Sequence, residues 1–399
     1  MGDRSKYIAN IWKINFYTFL RWMHFIAGVL VPFFLVWGGI SFTEVMILQA
    51  VFYISIVLLE IPTGAVADFL GRKTSLALAA FFGIVAPIVY AWTPNFYMFI
   101  IGEILWALGD TLASGANEAL MYDSLKKLGR SSDSKKYFSR FNTYMMAAIM
   151  VSALIGSVIA KYLGLRYTML LMAVPFVAAF IIALTLKEVK AEKRVERRGY
   201  IDTLMEGVKY FKGHRIIRIL TFDRVSVASL VFFIIWSNQL LLKEMGVPIL
   251  YFGVVFSLMA AAQIPFIGNL EFLEKIFGSK KRYLFISAMV SAVGFLLLAF
   301  VRNAPAAIII IIVMSGCGLS RTVLFQNYTN KYIESQNRAT VISAVSMMDR
   351  LIKAAIYPLL GWLAEYSLSS AFIIVGIAII ACALVSKVEE DHLIDDDAI

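Results

Sequence analysis

Apolar runs of a length to match a lipid bilayer recur twelve times along the chain, over 16–36, 45–68, 74–93, 96–122, 141–161, 166–186, 216–242, 249–273, 283–301, 305–329, 339–363 and 368–386. About 20 apolar residues cross a hydrocarbon core as a helix. The pattern therefore predicts an all-α integral membrane protein with twelve transmembrane helices. The links on one side are short, as at 37–44 and 93–95, and those on the other are longer and charged. The longest polar stretch, 187–215, parts six runs from six. Its beginning, 187–198, is dense in charge. Further on, Ile201, Leu204, Val208 and Phe211 recur at helical spacing opposite Asp202, Lys209 and Lys212, the pattern of an amphipathic helix on a membrane face. The expected organisation is a first bundle over 1–190, a linker over 191–215, a second bundle over 216–388 and an acidic, disordered tail over 389–399.

The two halves repeat. Gly71-Arg72-Lys73 before the third run matches Gly278-Ser279-Lys280-Lys281 before the ninth, 207 residues on. Arg140, opening the fifth run, matches Arg338 at 198, and Arg21 in the first matches Arg224 in the seventh at 203. Nearly constant offsets argue for a duplicated six-helix unit.

Composition removes the soluble alternatives. Of 399 residues, 60% are hydrophobic and 16% charged, with 30 Phe and 17 Met, and the mean hydropathy is +0.78. The net charge of +10 would suit nucleic acid, but its distribution has a simpler cause. With both termini on one side, that side carries 28 of the 37 Lys and Arg, against Lys161, Arg166, Lys243 and Arg302 opposite and five within the runs. Bases collect on cytoplasmic loops, so both ends are expected in the cytoplasm of a plasma-membrane protein, with no nucleic-acid partner. Residues 1–13 are polar and mildly basic, and no small-residue cleavage site follows, so the first helix is read as retained. Cys317 and Cys382 fall inside apolar runs and offer neither a disulfide framework nor metal-ligand spacing. The sequence shows no Walker loop, no other phosphate cradle and no metal-ligand cluster. The expectation is a non-enzymatic protein without cofactor or metal, driven by an ion gradient.

Charges inside spans carry the chemistry, because each costs at least a few kcal/mol in mid-bilayer unless paired or hydrated. Glu103, Asp110 and Asn117 are spaced by seven in the fourth run and share a face. The first run holds Arg21 and His24, the seventh Asp223 and Arg224, the tenth Arg321, and the eleventh Asp349, Arg350 and Lys353. Two readings stand for most of them. Asp349 and Lys353, at i,i+4, suit a structural pair; Arg21, near a helix end, suits snorkelling; His24 suits plain burial. Asp110 is either a carboxyl that gains and loses a proton, with burial raising its affinity, or a permanent partner of Arg321.

The densest motif is Gly64-Ala-Val-Ala-Asp68-Phe-Leu-Gly71-Arg72-Lys73, where Gly64 allows a neighbouring helix to approach and Gly71 a sharp reversal. Together with twelve spans, a central polar stretch and an internal repeat, this Gly-x-x-x-Asp-x-x-Gly-Arg-Lys string resembles the loop between helices 2 and 3 of the major facilitator superfamily. Glu118-Ala-Leu-Met-Tyr122-Asp123 is similar to a segment of poorly characterised prokaryotic members. The fourth run lacks the intramembrane arginine of drug/proton antiporters, the fifth lacks their proline, and the second loop copy has Lys275 where the aspartate would fall. The resemblance implies two six-helix halves with a substrate site between them near the midplane. It also implies a cavity lined by helices 1, 4, 7 and 10 and a conformational latch at Asp68, Arg72 and Lys73. The expected function is proton-coupled efflux of an amphipathic, drug-like small molecule by a monomeric secondary transporter in a lipid bilayer. An importer or exchanger of an anionic metabolite, held by Arg21, Arg224, Arg321 or Arg350, is the alternative. A non-transporting receptor or scaffold is the third reading.

Overall fold

The structure, a computed structural model, describes residues 3–189, 209–268, 270–334 and 338–393. All regular secondary structure among them is helical. The first stretch of chain forms α1 (Asp3–Arg21), α2 (Ala27–Trp37), α3 (Phe42–Leu70), α4 (Arg72–Trp92), α5 (Phe96–Ala113), α6 (Ala116–Lys127), α7 (Ser134–Tyr162) and α8 (Leu165–Leu184). The second forms α9 (Arg215–Phe232), α10 (Ile234–Glu244), α11 (Leu250–Ala261), α12 (Ile264–Gly268), α13 (Leu270–Phe277), α14 (Lys280–Phe300), α15 (Ala304–Lys331), α16 (Arg338–Tyr366) and α17 (Leu368–Val385).

Among the described residues, ten helical stretches are long and apolar enough to span a membrane. The first and eleventh predicted spans depart from expectation. Helix begins at Asp3, inside the stretch read as a polar tail, and the expected continuous helix over 16–36 breaks at 22–26. There the backbone turns through Met23 N–H to Leu20 (3.1 Å) and Ala27 N–H to His24 (3.0 Å), and the Phe25 carbonyl packs directly on Gly156 of α7, where a Cβ could not fit. The eleventh span is one unbroken helix, α16, but Asp349, Arg350 and Lys353 interrupt its apolar character. The fourth span divides at Ser114–Gly115, where Gly115 has φ +71°. The seventh divides at Phe233 and the eighth around Ala262–Gln263. Interrupted helices are tolerated at membrane depth where protein or a water-filled cavity surrounds the freed backbone.

The chain forms two compact units, one of Met1–Arg197 with Pro248–Ser257 and one of Arg198–Val247 with Leu258–Ile399. In the first, α4 lies between α5 and α8, and α1 packs on α6, α7 and α8 around Ile14, Tyr17, Leu76 and Leu120. The segment 248–257 joins this unit through its smallest residues. Gly253 lies against Gly28 and Ala153, and the Ser257 hydroxyl donates to the Met150 carbonyl at 2.7 Å. In the second unit, α14 packs on α15 and α17, and α9 on α15, α16 and α17, around Leu220, Leu284 and Phe325. Most of the predicted amphipathic helix falls in 201–208, outside the described residues. Its continuation at 209–213 is helical, with Tyr210 and Phe211 packed on the Ile217, Val341 and Val345 cluster.

The duplicated loops share a device that sequence reading missed. Gly71 (φ +93°) and Gly278 (φ +81°) both reverse the chain into a helix start. At α4 the N–H groups of Arg72 (3.3 Å) and Lys73 (2.8 Å) donate to the Glu188 carboxylate, which follows α8. At α14 those of Lys280 (2.9 Å) and Lys281 (2.8 Å) donate to Glu390, which follows α17. Free N–H groups and the positive end of the helix dipole select the carboxylate. The acidic tail is therefore not disordered at its start. Glu390–His392 forms a helical turn, Glu389 pairs with Lys281, and the Lys280 ammonium donates to the Leu393 carbonyl at 2.9 Å; 394–399 lies outside the described residues. Replacing Glu188 with Gln should lower stability by about 0.5–2 kcal/mol. Glu390→Gln should cost less, because Glu390 is exposed and more screened by solvent. Thermal unfolding of the two variants in detergent measures both, and an unchanged Tm for Glu188→Gln would deny the cap its role.

Candidate functional site

In the first unit, the break after α1 leaves Arg21 as the last helical residue, 8% exposed, and it forms an ion pair with Asp110 of α5. The Asp110 side chain retains 33% of its exposure, so one face of this pair stays accessible. Asn117, beyond the break between α5 and α6, donates to the Thr18 hydroxyl at 3.1 Å. Arg21 Nε and Asn117 Oδ1 are buried without hydrogen-bond partners, and such atoms in a folded interior call for an explanation. The broken turn places His24 against the Arg21 carbonyl, 2.9 Å from Nε2. Its imidazole stacks on Trp22 (5.4 Å between centroids) and Phe176 (6.1 Å) and meets the edge of Trp106 at 5.0 Å. Trp22, His24 and Trp106 are half-buried, beside the ion pair.

Glu103 shares α5 with Asp110 but not its surroundings. It is 5% exposed, accepts from Gln49 of α3 at 3.5 Å, and has the Tyr90 hydroxyl in hydrogen-bonding reach. The spacing of seven thus does not make Glu103, Asp110 and Asn117 one open stripe. Asp110 and Asn117 both face α1, whereas Glu103 faces α3 and α4.

In the second unit, Asp223 of α9 pairs with Arg321 of α15 at 2.5 Å. Their side chains are 7% and 1% exposed. Arg321 also donates to the Ser287 hydroxyl (2.7 Å) and to the Leu284 carbonyl, and lies 5.2 Å over the Phe325 ring. The alternative reading that made Asp110 the partner of Arg321 is not met: among the described residues Asp110 pairs with Arg21 and Arg321 with Asp223, each on a neighbouring helix of its own unit. The pairs occupy equivalent places in the repeat, with the charges exchanged. The base stands on the first helix and the acid on the fourth in one half; the acid stands on the seventh and the base on the tenth in the other.

The expected structural pair within α16 is present, with Lys353 Nζ 2.7 Å from Asp349. Asp349 also accepts from Ser229 at 3.1 Å, and Lys353 lies 4.7 Å over the Phe232 ring. Arg224 and Arg350 are half-buried, Arg224 within electrostatic range of Asp349.

The 64–73 motif is assembled in part. Arg72 pairs with Asp123 of α6 and donates to the Ala119 carbonyl at 2.8 Å, while Lys73 contributes its backbone to the Glu188 cap. Asp68 is exposed and has no hydrogen bond or ion pair among the described residues. Gly64 is also exposed, with nothing within 4 Å of the place a Cβ would take, so it admits no close neighbour here. Sequence reasoning missed Thr18, Trp106, Phe176, Ser287, Glu188 and Glu390. A signal existed for the last two: Lys187-Glu188 and Lys387-Val388-Glu389-Glu390 follow the last helix of each half.

Comparison with known proteins agrees with this architecture. A sequence model of the Major Facilitator Superfamily matches residues 15–270 and 225–394. The chain is 22% identical over 399 residues to the MFS-type transporter YxaM of Bacillus subtilis (strain 168), covering 95% of this chain and 97% of that protein. Its fold is similar to that of the nucleoside transporter NupG, with a TM-score of 0.80 at 15% identity, covering 95% of this chain and 100% of the other. A D-xylose-proton symporter gives 0.73 at 16% identity, over 96% and 98%.

The two ion pairs should respond differently to truncation. Arg321→Gln leaves Asp223 charged and buried without its partner and should destabilise by about 3–5 kcal/mol, with much of the loss recovered by adding Asp223→Asn. Arg21→Gln, facing the more exposed Asp110, should cost less. Thermal unfolding of the three variants decides, and equal losses for the two single changes would contradict the difference in burial.

Proposed function

From the premise that the chain belongs to the major facilitator superfamily, a family of membrane transporters and not of enzymes, we propose that it is a proton-coupled secondary transporter. It moves an amphipathic, ring-bearing small solute across the plasma membrane by alternating access, both termini lie in the cytoplasm, and the working direction is export in exchange for protons. The observation that carries this reading is the Arg21–Asp110 pair at the elbow of the interrupted first helix, one carboxylate face accessible and the other closed by a guanidinium. A proton arriving at Asp110 removes the charge that holds Arg21. The end of α1 is then free to rearrange about the break at 22–26, where the regular i→i−4 ladder gives way to turn bonds such as Met23 N–H to Leu20 and Ala27 N–H to His24. The half-buried rings of Trp22, His24 and Trp106 supply stacking surface for the solute beside the titrating group. The anionic-metabolite alternative is weakened because Arg21 and Arg321 are both neutralised by carboxylates.

Proteoliposomes with an internal pH dye test the proposal against a pool of nucleosides, sugars, lipophilic cations and organic anions. External substrate entering in exchange for protons raises the internal pH; entry together with protons lowers it and reverses the assigned direction. No proton movement and no counterflow with any class would overturn transport of these solutes.

Asp110→Asn should abolish gradient-driven accumulation while exchange at equal pH persists, with Tm within about 3 °C of the parent. A large fall in Tm that Arg21→Gln restores would make the pair structural instead. For the 64–73 loop, Asp68 acts as a latch that closes on basic groups when the cavity opens outward. Asp68→Asn should therefore shift the population towards the inward-open state. Accessibility of single cysteines from each side of the membrane reads this, and unchanged accessibility rejects the latch.

A further inference from the structure

The second unit contains a cavity of about 380 Å³ between the start of α14 and the end of α17, with the Asp223–Arg321 pair on its inner wall. Ser279, Lys281 and Arg282 stand at its exposed end, and Leu284, Phe285, Ala288, Ala383 and Val388 form apolar walls. Its place is a membrane–water boundary, because α14 turns from charged residues into an apolar span within its first turn.

The charges decide what would fit. Lys281 is paired with Glu389 and Arg321 with Asp223. The Arg282 guanidinium has no ion pair or hydrogen bond among the described residues, although it stands at the mouth. The cavity therefore has one uncompensated positive charge. Deeper in, Arg321 is 1% exposed and its Nε has no hydrogen-bond partner. Ser279 and Ser386 add hydroxyls to the lining. A guanidinium suits a phosphate, which it binds through parallel N–H donors. One surplus positive charge matches a phosphodiester monoanion better than a polyanion. The apolar walls have no use for a free solvated anion but suit an acyl chain, and Phe285, Leu384 and Val385 are exposed beside them. Basic pockets between helices at a membrane surface are places where anionic headgroups bind.

We infer that this cavity is a binding site for an anionic phospholipid, with the phosphodiester on Arg282 and directed towards Arg321, and one acyl chain along Phe285 and the end of α17. The site is separate from the Arg21–Asp110 centre. It places a lipid headgroup next to the buried pair that joins the seventh and tenth helices. Its test does not depend on the proposed substrate or coupling ion.

Delipidated full-length protein in neutral detergent is titrated with phosphatidylglycerol, with phosphatidylcholine, and with inorganic phosphate against chloride at matched ionic strength. Native mass spectrometry counts bound lipid and thermal unfolding reads affinity. The expected result is preferential retention of phosphatidylglycerol and a rise in Tm, with affinity at least tenfold weaker in Arg282→Gln and unchanged in Arg302→Gln, just beyond the far end of the same helix. Arg282 is exposed, so its replacement leaves the fold intact. Protection by inorganic phosphate that also depends on Arg282 would overturn the lipid assignment in favour of a soluble anion. An equal loss in both variants, or no dependence on Arg282 for any ligand, would overturn the site.

Discussion

A charge in hydrocarbon persists only when it is paired or hydrated, and two ion pairs meet that requirement by joining helices of this protein. Each joins helices that are far apart in sequence: Arg21 to Asp110 across 89 residues, Asp223 to Arg321 across 98. The cost of an unpaired charge makes these contacts selective in a way that Leu-on-Leu packing in a lipid solvent is not. Around them the remaining requirements are local. Arg321 needs Ser287 and the Leu284 carbonyl for its second terminal nitrogen, Nη1, and the small residues along α14, Ser287, Ala288 and Ser291, leave the space.

The pairs are equivalent in the repeat but differ in chemical character. Asp223–Arg321 has both side chains buried, and Ser287 and the Leu284 carbonyl hold the guanidinium as well. Asp110 keeps a third of its surface, and its partner stands at a broken helix end. A duplicated unit with exchanged charges thus produces one half that is held and one that is poised.

The large features were legible because the bilayer imposes them. Run length marked the helices that are long and apolar enough to span a membrane, and Gly71 and Gly278 were visible as repeated reversals that in the structure carry positive φ. The Asp349–Lys353 pair was legible because helical geometry decides i,i+4 contacts without tertiary information. The partner of Asp110 was not. Spacing on one helix says nothing about which neighbouring helix approaches, and Arg21 lay near enough to a predicted helix end to read as a snorkelling base. That helix end was itself misplaced. The polar residues after Asp3 are helical because their apolar members, Ile11, Ile14 and Tyr17, pack into the first bundle, a tertiary effect that hydropathy does not register. The first acids of the tail are ordered for a similar reason, since a helix start elsewhere in the chain needs acceptors.

The placement of 248–257 has a consequence for how the molecule divides. By sequence, one polar stretch separates six helices from six, and a cut there promises two self-sufficient pieces. The chain instead passes from the first unit to the second after Arg197, returns at Pro248, and leaves again after Ser257, partway along α11. The units are thus stitched by three covalent crossings, two of them at the ends of a ten-residue insertion seated on glycines. The second half taken alone would carry a segment whose glycine face was shaped for the first. The repeat visible in the sequence is therefore not kept in the packing: the segment 248–257 lies in the second half by chain order but is built into the first unit.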